Sequence, residues 1–331
     1  MQDVKYKNRI IVRDLFSMPE KKKADFTFID LFAGIGGTRM GFERAGGECV
    51  FSSEWDESCQ KTYQANFGEI PYGDITKIKE EEIPDFDILV AGFPCQPFSS
   101  IGKRQGFAHA TQGTLFYDIL RIMNCKKNKA FLLENVPGLI NHDKGNTFKV
   151  ILESLDSSGY KVFYKVLNAS EFGVPQQRKR IYMVGFKKDL INDFDFEFPK
   201  GNKQEVFIGD YLEKDANGYS ISKHLQEKYL FKKNDGRPII VDNNSKIQTK
   251  TLVSSYHKIQ RLTGTFVKDG ETGIRLFTEN ECKTIMGFPK NFKIPVSRTQ
   301  MYRQMGNSVV IPVIEAIANK IASTLKDIKS V

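Results

Sequence analysis

The sequence predicts an α/β protein, and three observations support this prediction. Short apolar runs that fit buried strands, such as 87–91 and 130–133, alternate with stretches of helical periodicity. A glycine turn at 33–37 separates one such strand from one such helix. The run 87–91 ends abruptly at Gly92-Phe93-Pro94-Cys95-Gln96-Pro97, because proline donates no hydrogen bond to a ladder. Cys95 is therefore expected at the carboxyl edge of the sheet, where α/β proteins bind ligands.

Composition limits the class of protein. The 331 residues suffice for a large and a smaller domain, and 40% hydrophobic with 27% charged residues is typical of a globular protein. No apolar run approaches the ~20 residues of a membrane span. The first 23 residues lack the apolar core of a signal peptide, so a cytoplasmic protein is expected. Five cysteines without C-x-x-C spacing argue against a disulfide framework and a zinc site.

The net charge of +9 is unevenly distributed. Residues 201–300 carry 17 Lys and Arg against 11 Asp and Glu, an excess of 6. A basic segment of this kind favours a surface for a polyanion, although an ordinary basic surface has the same composition.

The chain opens with a polar extension, 1–25, followed by a predicted strand at 26–32 and helix at 38–45. With the glycine turn between them, these elements resemble the start of a nucleotide-binding βαβ unit. Arg39 stands where the dinucleotide fingerprint G-x-G-x-x-G has its third glycine. This departure favours a mononucleoside cofactor such as S-adenosylmethionine.

Acidic residues follow the next predicted strands. Glu54 directly follows the predicted strand 48–53, about 20 residues after the glycine turn. A carboxylate at this place can accept hydrogen bonds from both hydroxyls of a ribose. Trp55, the only tryptophan, can stack flat on a purine ring. The alternative interpretation is that Glu54 is a surface residue and Trp55 belongs to the core. Asp74 is a weaker candidate acceptor for an adenine amino group.

Glu134 follows the strand after the one that leads to Cys95, so neighbouring strands would place both residues at one pocket. Taken alone, Cys95 fits a nucleophile and a small buried hydrophobe about equally well. The loop 99–114 has glycines near both ends and cations in the middle, which suits closure over a phosphate backbone. Arg178 and Arg180 are two residues apart, so their side chains point to the same face of the sheet if both lie in a strand.

The remaining pattern is regular up to about residue 190 and irregular from there to 275. Helices are predicted at 115–123, 147–155, 279–286 and 311–325, strands at 161–167 and 181–186, and β-leaning pieces at 237–242 and 248–255.

Eight short stretches of the sequence carry the motifs that identify a family: 30–37, 54–56, 73–75, 92–99, 134–136, 176–180, 275–289 and 304–312. In order and spacing they closely resemble the DNA (cytosine-5) methyltransferases, especially those of bacterial type II restriction–modification systems. The resemblance covers most of 26–190 and 275–320. It implies a Rossmann-like S-adenosylmethionine-dependent methyltransferase domain, with a mixed, mostly parallel sheet and helices on both faces, plus a smaller, irregular β-rich target recognition domain.

The domain limits implied are an N-terminal extension at 1–25, a catalytic domain at 26–193, a target recognition domain at 194–285 and a return to the catalytic domain at 286–331.

The resemblance also implies a reaction. A methyl group passes from S-adenosyl-L-methionine to carbon 5 of a cytosine that is flipped out of a short duplex sequence. Cys95 matches the nucleophile that adds to carbon 6, and Glu134 the carboxyl that hydrogen-bonds or protonates nitrogen 3. Arg178 and Arg180 match arginines that hold oxygen 2 and order the site. The matching cofactor residues are Phe32, Ala33, Ile35, Gly37, Glu54, Trp55, Asp74, Ile75, Pro94, Leu115, Asn307 and Ser308, and the matching DNA or cytosine residues are Asn135, Val136, Ser99, Lys103, Arg104, Thr251 and Leu252.

Double-stranded DNA is thus the expected substrate, and the protein is expected to act as a monomer without a metal ion. A cognate restriction endonuclease is the expected functional partner. Ile101 stands where some relatives have a serine that fills the space left by the flipped base. Two alternatives share these motifs: an RNA cytosine-5 methyltransferase and a catalytically silent DNA-binding regulator. A cysteine acyl-transfer enzyme needs a histidine partner, and none of the four histidines follows a convincing strand.

Overall fold

A computed structural model describes residues 24–94, 115–191, 195–202 and 205–329. The strands are β1 (Phe26–Leu31), β2 (Gly47–Ser53), β3 (Ile88–Gly92), β4 (Ala130–Asn135), β5 (Tyr160–Asn168), β6 (Lys179–Lys187), β7 (Ile239–Val241) and β8 (Thr265–Val267). The longer helices are α1 (Gly37–Arg44), α2 (Glu57–Phe67), α3 (Leu115–Lys126), α4 (Asn146–Ser157), α5 (Glu279–Met286), α6 (Arg298–Asn307) and α7 (Ile311–Lys329). Shorter helical turns lie at Ile75–Lys77, Glu80–Glu82, Pro137–Gly145, Ala169–Phe172, Ile208–Tyr211, Lys223–Leu225, Gln226–Leu230 and Tyr256–Lys258.

Six strands of the described chain form one sheet in the order β2-β1-β3-β4-β6-β5. The strands β2, β1, β3 and β4 pair in parallel, whereas β6 is antiparallel to both β4 and β5. The predicted mixed, mostly parallel sheet is confirmed. Since β1 lies between β2 and β3, the chain changes direction across the sheet there, and such a switch point opens a crevice at the carboxyl ends of the strands.

The sheet separates two apolar layers. Alternate strand residues point to opposite faces, so Phe28 and Val90 belong to one cluster and Ile29 and Leu89 to the other. The first layer contains residues of α1 and α7, and the second contains residues of α3 and α4. Helices therefore cover both faces, as the resemblance implied.

Local signals explain where several helices begin and end. Asp56 caps α2 by accepting hydrogen bonds from the backbone N–H groups of Ser58 and Cys59. Thr278 and Glu281 form a reciprocal capping box at the start of α5, and this helix ends at Gly287 in the left-handed region. The predicted bounds of α5 are confirmed, whereas α2 and α6 were not predicted.

The region between β6 and α5 has little regular structure. Its β7 and β8 form a two-stranded parallel sheet within the described residues. The β-leaning prediction at 237–242 is confirmed by β7, but the one at 248–255 is wrong: only Thr249 forms a bridge there, with Gln176. The buried side chains of this region, such as Ile208 and Phe266, join the same apolar cluster as α7. The division into domains stays a prediction.

Within the described residues, one helical stretch, Arg298–Ile328, is long and apolar enough to cross a membrane. The sequence had not been expected to contain such a stretch. Its most apolar window is 67% buried inside the protein, because α7 packs against α1 and the sheet. Its apolar character is therefore that of a core helix.

Candidate active site

The carboxyl ends of β3 and β4 lie side by side. Gly92, the last residue of β3, is the register partner of Glu134 in β4. A Cβ built on Gly92 would lie 3.6 Å from Oε2 of Glu134, so the carboxyl lies beside the backbone that leads to Cys95. The prediction that the strands of Cys95 and Glu134 are neighbours is confirmed. Cys95 itself lies outside the described residues, as do Ser99, Lys103 and Arg104.

An ion pair occupies this edge. Nε of Arg180 lies 3.0 Å from Oε1 of Glu134, and both side chains are about five-sixths buried, with 16% and 15% exposure. The two residues come from neighbouring antiparallel strands, in which the register partner of Glu134 is Tyr182. They form a diagonal pair on one face of the sheet.

Burial governs the titration of Glu134. Removal from water raises the pKa of this carboxyl above its usual value, and the nearby Arg180 and Arg178 lower it only in part. A carboxyl that donates a proton near neutral pH needs a pKa shifted in this direction. The geometry thus supplies a carboxyl with a raised pKa, oriented by a guanidinium.

Arg178 has a different environment from Arg180. Because β6 begins at Lys179, Arg178 precedes the strand, and the parity argument for one common face does not apply. Its buried guanidinium donates to three backbone carbonyls: to Leu252 at 2.9 Å, to Gly306 at 3.0 Å and to Ser308 at 2.7 Å. Arg178 therefore joins the segment before β6 to two distant parts of the chain.

Gln176 reinforces the same junction, although the sequence analysis gave it no role. Its Oε1 accepts from the N–H of Leu252 at 2.7 Å, and its Nε2 donates to the carbonyl of Ile285 at 2.9 Å. Thr251 donates its hydroxyl to the carbonyl of Gln177 at 2.8 Å. The sequence signal for Gln176 was its place in the stretch 176–180, two residues before Arg178, whereas its complete burial is visible only in the structure.

Gly306 permits the close approach at this junction. A Cβ on Gly306 would lie 2.1 Å from the backbone nitrogen of Ser254, so no larger residue fits without moving backbone. The neighbouring Asn307 is exposed and Ser308 is half-buried. The structure thus brings the predicted pairs Thr251-Leu252 and Asn307-Ser308 to one place.

A second group of predicted residues surrounds the glycine turn after β1. Ser308 lies here as well, because a Cβ on Gly37 would be only 2.7 Å from its Oγ. Phe32 adopts a φ of +58°, a strained value for a residue with a side chain, and such strain is typical of functional sites. Ala33 and Ile35 are buried beneath the turn.

Glu54 links the glycine turn to the end of β2. Its Oε2 accepts from the N–H of Gly34 at 2.8 Å, and its Oε1 accepts from the N–H of Asp56 at 2.8 Å. A carboxylate has about four lone-pair sites, so both oxygens keep acceptor capacity for a ligand. Burial raises the pKa of Glu54, partly offset by these hydrogen bonds.

Trp55 is 77% exposed, while Glu54 is buried. The alternative of a surface glutamate beside a core tryptophan is therefore wrong. Asp74 accepts hydrogen bonds from the hydroxyl and the N–H of Thr76, which lower its pKa, and Ile75 is buried. Trp55 is thus a large ring open to solvent beside a buried acceptor.

Four further predicted residues differ in their burial. Asn135 is buried, and its Nδ2 donates to the carbonyl of Phe93 at 2.9 Å, which fixes β4 to the residues just before Cys95. Pro94 and Val136 are exposed, and Leu115 is half-buried at the start of α3.

Arg39 shows why the dinucleotide fingerprint fails here. Its guanidinium donates to Glu43 at 2.7 Å and to the hydroxyl of Tyr63 at 2.9 Å, and lies 4.5 Å from the ring centroid of Phe67. A third glycine would remove these contacts between α1 and α2. Arg39 therefore anchors the helix that follows the glycine turn.

Asp30 is a buried carboxyl that the sequence analysis did not single out. It is fully buried in β1, its Oδ2 accepts from the N–H of Arg39 at 3.2 Å, and its Oδ1 has no partner among the described residues. Burial raises the pKa of Asp30 from 3.8 to about 8.

Replacing Asp30 by asparagine is expected to remove a pH dependence of stability. The native state retains this proton up to about pH 8, whereas the unfolded chain loses it near pH 3.8, so the wild type loses stability as pH rises between these values. At about 1.4 kcal/mol per pKa unit, the upper limit of this loss is roughly 6 kcal/mol, of which roughly 4 kcal/mol falls between pH 5 and pH 8. Urea unfolding at pH 5 and pH 8 measures it. Asp85→Asn, with a 98% exposed carboxyl, is the control, and equal pH slopes in all three proteins would contradict the prediction.

Comparisons with known proteins agree with this geometry. The family described as C-5 cytosine-specific DNA methylase matches residues 26–323. The type II methyltransferase M.MspI of Moraxella sp. is 61% identical over 325 residues, covering 97% of this chain and 77% of that protein. The type II methyltransferase M.BsuFI of Bacillus subtilis is 60% identical over 333 residues, covering 97% of this chain and 81% of that protein.

Two solved structures share the fold. A DNMT2 mutant of Spodoptera frugiperda has a TM-score of 0.70 and 23% identity, covering 92% of this chain and 99% of that one. The methyltransferase EhMeth of Entamoeba histolytica has a TM-score of 0.70 and 24% identity, covering 93% and 99%.

Proposed function

Because the chain belongs to the C-5 cytosine-specific DNA methylase family, we propose that it methylates cytosine through a covalent bond from Cys95 to carbon 6 of the base. The protein is a DNA (cytosine-5) methyltransferase of the bacterial type II restriction–modification kind. Its methyl donor is S-adenosyl-L-methionine. The observation that carries the proposed mechanism is the Glu134–Arg180 ion pair beside the backbone that leads to Cys95.

The residues after β1 and β2 fit this methyl donor. Glu54 keeps acceptor capacity for ribose hydroxyls, and the exposed ring of Trp55 offers a stacking surface for adenine. The glycine turn leaves room beside Ser308, where a side chain on Gly37 would collide. When bound, S-adenosyl-L-methionine supplies an electrophilic methyl group.

Cys95 is proposed as the nucleophile because carbon 5 of cytosine is a weak nucleophile by itself. Addition of the thiolate to carbon 6 forms the S–C6 bond and moves the electron pair of the 5,6 double bond toward carbon 5 and the ring. The electron pair at carbon 5 forms the new bond to the methyl group. A water molecule then accepts the carbon 5 proton, which restores the double bond and expels the thiolate of Cys95. Cys95 is three positions beyond Gly92 in the chain, a reach of at most about 10 Å.

Glu134 is proposed to hold or donate a proton at nitrogen 3, where charge develops during the addition. Its raised pKa favours the protonated form that this role needs. Arg180 orients the carboxyl and supplies positive charge near oxygen 2 of the base. Asn135 positions the end of β3 through its hydrogen bond to Phe93.

Arg178 is proposed to act mainly by position. Lysine cannot reach three carbonyls at once, so Arg178→Lys is expected to loosen Ser308 and Leu252 together and to weaken S-adenosyl-L-methionine binding about tenfold, as for the loss of one charged hydrogen bond. Calorimetric titration without DNA measures this affinity. Arg237→Lys, at an exposed arginine, is the control. Unchanged cofactor affinity with a slower reaction would mean that Arg178 acts on the base instead.

The remaining parts of the proposal concern the cellular role. We propose that the substrate is a short duplex sequence in cytoplasmic DNA, read by the segment 194–285 and attacked by a monomer after the cytosine is flipped out. Methylation would protect this sequence from a cognate restriction endonuclease. The basic balance of residues 201–300 supports a polyanion partner for that segment.

Transfer of labelled methyl groups to unmethylated genomic DNA tests the proposal, followed by mapping of 5-methylcytosine at single-base resolution. Label at carbon 5 of cytosine within one short motif is the expected result. Transfer to RNA instead of DNA would favour an RNA cytosine-5 methyltransferase. DNA binding without any transfer would identify a catalytically silent regulator.

A further inference from the structure

The segments 229–235 and 260–263 enclose a pocket of about 490 Å³, which we name the two-loop pocket. Most of its lining side chains are polar or positively charged. The lining residues are Tyr229, Lys232, Lys233, Asp235, Gln260, Arg261, Leu262 and Thr263.

Arg261 holds the two walls of the pocket together. Its side chain is only 5% exposed, and its guanidinium donates to the carbonyls of Leu230 at 2.9 Å and Lys233 at 3.0 Å and forms an ion pair with Asp235. These three partners belong to the first loop, whereas Arg261 belongs to the second. Arginine is the side chain that most often reads guanine in DNA, but this guanidinium is already engaged within the protein.

The second loop is held in a demanding conformation. Ile259 has a φ of +54°, which is rare and strained for a β-branched residue. Gln260 stabilises the turn: its carbonyl accepts from the N–H of Gly264 at 2.8 Å, and its side chain bonds Ser255 and Thr263. The structure therefore fixes this loop from both sides, through the turn and through Arg261.

The pocket is also connected to the candidate active site. Nζ of Lys250 donates to the carbonyl of Leu262 at 3.0 Å, which ties the second loop to the segment before Leu252. The next residue, Thr251, bonds the carbonyl of Gln177, adjacent to Arg178. Lys250 and Thr251 thus connect the second loop of the pocket to Gln177 and, through the next residue, to Arg178, which bonds the carbonyl of Ser308.

Charge indicates what the pocket contacts. Residues 226–263 contain eight Lys and Arg against three Asp and Glu, an excess of 5 within the total of +9. Lys232 and Lys233 are exposed and have no ion-pair partner among the described residues. Leu262, 57% exposed, and Tyr229, 40% exposed, add apolar surface beside these cations.

We propose that Arg261 determines target discrimination as a positioning residue, and that the two-loop pocket which it shapes contacts duplex DNA at the target site. Lys232 and Lys233 contact phosphates of the DNA. The two loops, which Arg261 holds together, present Tyr229 and Leu262 to a groove of the duplex at one fixed spacing. Arg261 itself does not touch DNA. This inference rests on the DNA methylation stated above.

The test compares wild type, Arg261→Ala and Arg261→Lys on unmethylated genomic DNA, with 5-methylcytosine mapped in every sequence context. We expect the ratio of methylation at the target to methylation at sites that differ by one base pair to fall about tenfold or more in both variants, since one mismatch is worth about that factor. A role in stability alone would slow methylation at all sites equally and leave the ratio unchanged. Arg237→Lys, an exposed arginine of the same region, is the control.

If the Arg261 variants unfold, a second variant tests the contact between the two-loop pocket and DNA. The pair Lys232→Gln and Lys233→Gln, at exposed sites, is expected to weaken binding to all duplexes alike and to reduce the slope of log affinity against log salt by about 2. An unchanged salt slope, or an unchanged methylation motif in folded Arg261→Ala, would overturn the proposal. If the wild type itself leaves no 5-methylcytosine in DNA, the proposed function fails instead, so the two failures are distinct.

Discussion

Replacing Cys95 by alanine is expected to abolish methyl transfer while leaving binding of S-adenosyl-L-methionine intact. Removal of a covalent nucleophile typically costs roughly 10⁴- to 10⁶-fold in rate, because the uncatalysed path must activate carbon 5 without addition at carbon 6. The rate of label transfer to DNA in a single turnover measures this loss. Cofactor affinity should not change, because the glycine turn follows β1 and Glu54 follows β2, whereas Cys95 comes after β3.

The control for this prediction is Cys125→Ala. Cys125 is an exposed thiol on α3, away from the edge where β3 and β4 end. It should retain full activity. A Cys95→Ala protein that still methylates DNA within tenfold of the wild-type rate would rule out the covalent mechanism.

Replacing Glu134 by glutamine is expected to lower the single-turnover rate by about 10² to 10⁴, the usual contribution of a positioned general acid. Glutamine keeps the size of the side chain but can neither protonate nitrogen 3 nor pair ionically with Arg180. Glu153→Gln on α4, whose carboxylate is 63% exposed, is the matched control. A rate within threefold of the wild type would remove Glu134 from the mechanism.

The same pair of proteins gives a pH test with a defined sign. Burial raises the pKa of Glu134, so its carboxyl keeps its proton to higher pH than an exposed glutamate does. If the protonated form is the active one, the wild-type rate falls as pH rises through that raised pKa. This alkaline limb should be absent in Glu134→Gln, because an amide does not titrate there. A limb that persists unchanged belongs to another group.

Much of the fold was predictable because its signals are local. The helix α5 has its capping box and its terminal glycine within ten residues, and its bounds were predicted correctly. The buried strands read as short apolar runs for the same reason, since both of their faces contact helices. The piece 248–255 was mispredicted because its polar groups bond the segment before β6 singly and not as a ladder. Thr249 forms an isolated bridge with Gln176, the hydroxyl of Thr251 donates to the carbonyl of Gln177, and the N–H of Leu252 donates to the side chain of Gln176.

Local sequence patterns were sufficient to identify which residue types follow the strands β1 to β4, and hence the chemistry that the carboxyl edge of the sheet can perform. The contacts that each of these residues makes became visible only in the folded protein. Arg178 and Arg180 are two residues apart, yet one binds three carbonyls from distant segments and the other pairs with Glu134. The physical reason is that hydrogen-bond partners and burial depend on residues more than 40 positions away along the chain, and no local pattern contains that information.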